Sequence, residues 1–532
     1  MRNLPNASVR VSGLSNQAPS TRWCYLALAV FTIGLVVTYL LVDRLAPGGR
    51  SLAKVTGFDP VFYFGVSHSL LFDRDFDLRN ELARFPPAGG PWMSKETGLP
   101  QSPWAIGYSL LAMPFLGAGT VLDALAGNPA DGYSRYAVLG YSLANTVLTG
   151  LGLMALFYFL NEAGKLWGVS RPVDALFVTL AVFFGTTVGY YAFSNMSHAS
   201  TVLGSSLFLA CWWRVREDNQ NIRGWALLGL FGGILSIIRW QEICYVAAPF
   251  LFDIADKAFF SRFRPWLRSR IAYLAVVSLC WVPQLVEWKY IYGRFFLIPY
   301  SVMDSCGEKV ACSSFIHLPP RYIPQLLFST ENGWFLWTPL CFIGVCGLLY
   351  GLVRFGRVFF PWLVVFALEV ALIGSSDTWH GGESFSSRYL TSSSALVGLG
   401  LVTILYSAGR RMRWAVVGAA SILCVFTCAF ALQFRLNLIP GQERLTASEM
   451  FTDKLLLLQA SRRKQAVQRA ATLLQNGEAQ SAIQVLEEAD ARYVESRYVI
   501  SGLREAYRAH GQQAKAEDQE HRLENLMQSR LW

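Results

Sequence analysis

Four short stretches of this chain bring together side chains that could do chemistry. In the first, Asp59 stands among aromatics in Phe58-Asp59-Pro60-Val61-Phe62-Tyr63, with Asp73-Arg74-Asp75-Phe76-Asp77 and Asn80-Glu81 following. A carboxylate among apolar groups near a membrane gains proton affinity and can act as a base. Asp59 before Pro60 also has the form of a helix N-cap with proline at the first helical position, and one residue can do both. The second stretch is Ser194-Asn195-Met196-Ser197-His198, whose imidazole is a binding group or a packed helix cap. The third is Arg239-Trp240-Gln241-Glu242, between two short apolar segments. Charges there are costly without partners. Arg239 and Glu242 either pair with each other or face a cavity where Arg239 meets an anionic lipid phosphate, and the second is preferred. The fourth is Trp379-His380-Gly381-Gly382-Glu383-Ser384-Phe385-Ser386-Ser387-Arg388-Tyr389. Its glycines allow close backbone approach. The aromatic, imidazole, carboxylate and guanidinium around them suit a sugar or a phosphate, and the plainer alternative is a turn closed by Glu383 and Arg388. This stretch has no zinc-ligand spacing, and the chain has no Walker loop or nucleophile elbow. No metal ligand is assigned from sequence.

All four stretches lie between long apolar runs. The 532 residues are 53% hydrophobic and only 15% charged, whereas a soluble protein carries about 25% charged residues. Uncharged runs at 23–42, 136–160, 175–193, 271–286 and 414–434 match the roughly 20 residues of a membrane-spanning helix. Arg2, Arg10 and Arg22 precede the first run, and Asp43-Arg44 follows it without a small-residue cleavage site. It reads as a retained signal anchor with the N-terminus in the cytoplasm.

The remaining basic residues cluster at Lys165/Arg171, Arg214/Arg216/Arg223, Lys257–Arg270, Arg354/Arg357 and Arg410–Arg413, alternating with segments poor in Lys and Arg that include stretches two to four. The apolar segment 104–126, with Pro114 inside it, would invert that alternation if it crossed. It is therefore expected to lie at the outer interface or to re-enter. The expected fold is an all-α polytopic membrane protein with about 11 crossings, two of them short (224–238 and 242–254). A cytoplasmic tail covers 1–22 and a transmembrane domain 23–434, whose first outer loop and interfacial helices span 43–135. A helical domain at 435–532 then lies outside.

The net charge of +10 does not point to nucleic acid. From 435 onward there are 14 Lys/Arg against 13 Asp/Glu, so the basic excess sits in the short membrane loops. In the C-terminal region Gly477 and Gly511 are 34 residues apart, and each precedes an alanine, Ala482 and Ala516, by five. Leu486 and Tyr507 fall where helix faces would pack. This resembles about one and a half tetratricopeptide units, with a plain helical hairpin as the alternative and a protein partner as the implied use. Most of the ten cysteines lie inside apolar runs as small core residues. Cys306 and Cys312 flank a polar loop placed outside and are a candidate disulfide.

With these motifs in place, the chain resembles the GT-C superfamily of membrane glycosyltransferases. The resemblance is strongest to bacterial relatives of the protein O-mannosyltransferase and aminoarabinose transferase group, glycosyltransferase family 39-like. It rests on 59–81, on 100–114, on 379–389 as a W-x-G-G-x-S-F-x-x-R-Y pattern, and on Ser329-Thr330-Glu331-Asn332-Gly333-Trp334-Phe335-Leu336-Trp337-Thr338-Pro339. It covers roughly 20–435. The resemblance implies a multi-pass protein of the bacterial cytoplasmic membrane. It implies a polyprenyl-phosphate sugar donor, and a glycolipid, polysaccharide or protein acceptor on the outer face. It matches the family's catalytic base to Asp59. Members often carry paired acids after that aspartate, and here Pro60 follows, so a divalent metal is possible but not indicated.

Asp59 would take the acceptor proton, and Arg239 and Arg388 would steady the departing phosphate, with Lys54 or Lys95 as substitutes. His198, Glu242, Trp379, His380 and Glu383 complete the expected substrate and phosphate site. Attack opposite the leaving group inverts the anomeric centre. A transporter or flippase for a lipid-linked or small anionic substrate is the alternative function. It is disfavoured because no internal repeat is evident and the polar motifs gather on one face. An assembly scaffold is a third.

Overall fold

The computed structural model describes residues 19–45, 53–87, 90–168, 171–255, 263–297, 317–453, 458–493 and 495–531. These contain helices and no strand beyond the single bridge Met93–Pro100. In chain order the helices are α1 (Pro19–Leu45), α2 (Asp59–His68), α3 (Arg79–Arg84), α4 (Gly107–Leu125), α5 (Arg135–Ala163) and α6 (Pro172–Gly185). Next come α7 (Val188–Tyr191), α8 (Thr201–Val215), α9 (Ile222–Ile238), α10 (Ile243–Val246), α11 (Ala248–Ile254) and α12 (Phe263–Tyr292). Then follow α13 (Ile323–Phe328), α14 (Trp334–Trp337), α15 (Leu340–Phe355), α16 (Phe360–Gly374), α17 (Ser394–Ser407) and α18 (Arg410–Arg435). The last four are α19 (Arg462–Gln475), α20 (Ala479–Arg492), α21 (Arg497–Ala509) and α22 (Gln513–Leu531).

Six described helices are long and apolar enough to cross a membrane (Thr21–Leu45, Gly107–Leu125, Arg135–Trp167, Phe263–Tyr292, Leu340–Val358 and Arg410–Arg435), and α6, α9, α16 and α17 are shorter apolar helices. Contacts at the helix ends orient them. At one end Arg413 pairs with Asp174 (2.6 Å), Arg270 with Asp253 (2.7 Å) and Arg357 with Glu217 (3.0 Å), and the Tyr406 hydroxyl donates to the Arg171 carbonyl (3.0 Å). This basic end gathers the tips of α6, α8, α11, α12, α16, α17 and α18. The other end carries stretches one to four. Between the two ends run α1, α5, α6, α8, α9, α12, α15, α16, α17 and α18, with the short α10 and α11 between α9 and α12 in the chain.

Small residues let the passes close tightly. A Cβ on Gly400 of α17 would meet the Gly344 carbonyl of α15 at 1.8 Å, the close approach typical of apolar helix pairs.

Helix α4 has the length and apolarity of a span, and it packs along the first half of α5, where a Cβ at Gly140 would sit 2.4 Å from the Phe115 carbonyl oxygen. A Cβ at Gly119 would sit 2.2 Å from the Tyr136 carbonyl oxygen, and Asp123 accepts from the Tyr136 and Ala137 amides (3.2 and 2.7 Å). These partners lie in the first turn of α5. On its other side Ser109 donates to the Tyr63 carbonyl at 2.9 Å. Helices α2 and α4 thus form a layer with its own aromatic core over one end of the bundle.

The C-terminal helices form two successive hairpins, α19–α20 and α21–α22, rather than one. The sequence expectation of one and a half units is short of this. Gly477 (φ 81°) and Gly511 (φ 77°) occupy the same turn in each, where a left-handed conformation favours glycine. Ala482, Ala516 and Leu486 are fully buried and Tyr507 nearly so, because an apolar stripe at helical spacing must face a neighbour.

Candidate functional site

Asp59 opens α2, with Pro60 one residue later fixing the backbone of that first turn. Phe58 occupies the N-cap position and Asp59 is the first helical residue, so the N-cap reading gives way to another partner. Asp59 Oδ2 accepts from Arg388 Nη1 at 2.6 Å, across more than three hundred residues of sequence. Both side chains are about nine-tenths buried. The expected Glu383–Arg388 turn therefore does not form. Glu383 is exposed and faces the C-terminal domain, with its Cγ against Gly441 and its charge acting on Lys464.

Arg239, at the end of α9, takes neither Glu242 nor solvent. Its Nη1 lies 2.9 Å from Nδ1 and 3.2 Å from Nε2 of His198, and 3.3 Å from the Ser197 hydroxyl. With the Gln241 amide turned oxygen-inward, that oxygen accepts from Arg239 Nε at 2.6 Å. The Tyr389 ring carries both guanidiniums, Arg239 at 5.1 Å and Arg388 at 5.5 Å from its centroid. The Tyr63 hydroxyl, one helical turn beyond Asp59, hydrogen-bonds Ser197 at 2.8 Å. Burial pushes the Tyr63 phenol up to about 12, so it remains a neutral hydroxyl. Asp59, Tyr63, Ser197, His198, Arg239, Arg388 and Tyr389 thus form one buried constellation with two guanidiniums and one carboxylate.

Burial first, then the charges of Arg239 and Arg388, holds His198 well below the usual histidine range. The imidazole is neutral in the folded protein and can accept from Arg239. The unfolded chain therefore binds a proton at His198 that the folded chain does not. Stability from this group is full above the ordinary histidine pKa near 6.5 and is lost as pH falls below it, by up to about 1.4 kcal/mol per pH unit. Thermal midpoints of purified protein between pH 7.5 and 5 should fall more steeply in wild type than in His198→Gln. Equal slopes would place the titration elsewhere.

The loop 379–389 is held from behind. Asn332 donates to the His380 carbonyl (2.6 Å) and the Gly382 carbonyl (3.3 Å), and Ser384 donates to the His380 carbonyl (2.9 Å). Gly381 has φ 68°, and a Cβ there would press on Arg388 Nε at 3.0 Å. His380 Nδ1 accepts from the Gly382 amide at 3.0 Å, and Trp379 stacks on Tyr322. These two residues shape the loop and do not touch Asp59.

The other expected residues are spread out. Lys54 offers its carbonyl to Asn195 at 2.9 Å. Lys95 is exposed in a turn fastened to the end of α12 through Thr97 and the Ile291 carbonyl (2.5 Å). Glu242 is fully buried beside Glu369 and Ser392 rather than at the constellation. Cys306 and Cys312 lie outside the described residues.

A metal does not fit at Asp59. Its Oδ2 is engaged by Arg388, Pro60 stands where a second acid would be, and the second loop offers Asn195 and His198 instead of a carboxylate. Sequence reasoning missed Tyr63, Ser197, Gln241, Tyr389 and the clamp Asn332. Tyr63 had a signal, four residues after Asp59 on one helix face; Asn332 had none beyond its motif.

No family model and no curated protein matches the chain. Among solved structures it is similar to the archaeal oligosaccharyltransferase AglB from Archaeoglobus fulgidus, in complex with an inhibitory peptide and a dolichol-phosphate. That similarity has TM-score 0.48 and 12% identity, covering 84% of this chain and 60% of that one. The chain therefore spans about three fifths of the length of that enzyme. It is also similar to ArnT from Cupriavidus metallidurans, in the apo state (TM-score 0.47, 13% identity, 93% of this chain and 78% of that one) and bound to undecaprenyl phosphate (TM-score 0.47, 12% identity, 94% and 80%).

Proposed function

We propose that the protein transfers a sugar from a polyprenyl-phosphate donor to a glycolipid, polysaccharide or protein acceptor, with inversion, on the extracytoplasmic face of a bacterial cytoplasmic membrane. The observation that carries this reading is the buried Asp59–Arg388 pair with Arg239 on the far side of Tyr389. One carboxylate and two guanidiniums are the groups that this reaction requires. A phosphate monoester is a good leaving group and needs cations rather than an acid. The donor phosphate, arriving between Arg239 and Arg388, competes with Asp59 for Arg388. Asp59 released from the pair accepts the proton of the acceptor hydroxyl. The acceptor oxygen bonds to the anomeric carbon as the bond to the phosphate oxygen breaks, and the lipid phosphate leaves with that electron pair. Neutral His198 and Gln241 fix the direction of Arg239, and Tyr389 fixes the spacing of the two cations. The C-terminal hairpins, beside Glu383, are placed to present an acceptor or a partner protein to the loop.

The test is sugar transfer by purified protein in lipid, with a panel of polyprenyl-phosphate sugars. Arg239→Ala should raise KM for the donor about 10- to 100-fold, the worth of a charged hydrogen bond to phosphate. An unchanged donor KM would remove Arg239 from the site. No turnover of any donor by folded wild type would remove the reading itself.

A further inference from the structure

His68 closes α2 at the far end from Asp59 and is 3% exposed. It lies flat between Phe72 and Tyr133, with ring centroids at 4.6 and 4.1 Å. Its Nε2 is 2.8 Å from the Asp131 carbonyl oxygen. A carbonyl only accepts, so Nε2 carries the hydrogen, and Nδ1 points the other way. What Nδ1 meets is Glu81 Oε1 at 2.9 Å, also an acceptor. A proton on either group, or a cation between them, satisfies this contact. Glu81 is 1% exposed and its Oε2 has no hydrogen-bond partner. Asp73, at the end of the π-helical turn Ser69–Asp73, is oriented by the Asn80 amide at 2.9 Å. One donor atom from each of His68, Asp73 and Glu81 lies within 4.8 Å of the others.

We propose that His68, Asp73 and Glu81 form a site for one divalent transition-metal ion of the zinc class, with a fourth position open to water beside the exposed Asp73. The donor set is the argument. One imidazole and two carboxylates suit zinc. Ligand atoms about 2.1 Å from a tetrahedral ion sit about 3.4 Å apart, so His68 Nδ1 and Glu81 Oε1, at 2.9 Å, would open by about 0.5 Å and rotation of the exposed Asp73 would bring in the third ligand. The imidazole gives its other N–H to a backbone carbonyl and Asp73 is held by Asn80, the outer-shell arrangement that orients metal ligands. A dication also neutralises the two carboxylates. The ion would staple α2 to the π turn, to α3 and, through Asp131, to the loop after α4. It would stand about 14 Å along α2 from Asp59, holding the layer that carries Asp59 without touching the reacting atoms. The proposal does not depend on glycosyl transfer, since none of its ligands belongs to the Asp59 constellation.

The test uses full-length protein in detergent, stripped with EDTA and titrated with Co2+. Wild type should bind one Co2+ per chain with visible d–d absorption, release it to Zn2+, and gain thermal midpoint with Zn2+. His68→Gln should abolish the spectrum. Asp73→Asn, at an exposed position that leaves the fold intact, should weaken Co2+ binding at least tenfold, so the result stands even if His68→Gln fails to fold. No Co2+ spectrum in wild type, or equal binding by wild type and Asp73→Asn, overturns the proposal.

Discussion

Asp59→Asn should reduce sugar transfer roughly 100- to 10,000-fold through kcat, the usual worth of a positioned base, while donor KM falls, because a neutral amide competes less with the donor phosphate for Arg388. Asparagine matches the shape of aspartate and still offers an oxygen to Arg388 Nη1, so the loop keeps its position. What it lacks is the ability to take a proton from the acceptor hydroxyl. It also leaves the Arg388 guanidinium, 8% exposed, without its counter-charge. Removing one partner of a buried pair costs about 3–5 kcal/mol, and the retained hydrogen bond should hold the loss toward the low end. Activity and thermal midpoint are therefore to be measured together. A large loss of kcat in protein that remains folded separates the chemical role from the structural one. Arg388→Lys should also fail, because one ammonium cannot pair with Asp59 and stack on Tyr389 at once. Full transfer by Asp59→Asn would remove the central claim of the mechanism.

The second large effect concerns how the C-terminal hairpins are held. Arg463, in the first turn of α19, is 2% exposed and pairs with Glu443 at 2.5 Å and Glu449 at 2.7 Å, while also donating to the Arg444 carbonyl at 3.0 Å. Both carboxylates are about 1% exposed or less and belong to the segment that joins α18 to the hairpins. Arg463→Ala removes the cation that bridges two buried carboxylates and leaves Glu443 only a longer cation contact, to Arg497 at 3.9 Å, a loss of about 3 kcal/mol. The expected result is release of the hairpins from the bundle while the membrane helices stay folded. Limited proteolysis should then cut near 454–461 at protease levels that leave wild type whole. Since Gly441 and Lys464 abut Glu383, transfer to the natural acceptor should fall as well. Equal protease resistance in the variant would show that the hairpins are held by something other than this triad.

Much of the architecture was legible in the chain because apolar runs and basic clusters are local signals. A run of twenty apolar residues has one stable use, and Lys and Arg mark the ends of such runs. The six long apolar helices and the four shorter ones agree with that pattern. The turns at Gly477 and Gly511 were legible from a repeat distance. The four polar stretches were found as separate segments for the same reason, since polar residues between apolar runs stand out.

What the sequence alone determined, then, is an all-helical membrane chain with chemistry at one end. Which polar residue meets which was left to the tertiary structure. Asp59 could be read as a cap as well as a base, and Glu383 was the alternative partner for Arg388, because those are neighbours in sequence. In the fold, the helices between them bring Arg388 to Asp59, and Glu383 turns to the C-terminal hairpins. Arg239 had Glu242 three residues away and took His198 instead. The trio of His68, Asp73 and Glu81 has no ligand spacing that a sequence pattern would register, and exists only because a π turn and a short helix fold back over α2. The physical reason is common to all of these. Secondary structure follows from periodicities of a few residues, whereas a buried charge takes whatever opposite charge the packing delivers, and its desolvation cost makes that partner decisive.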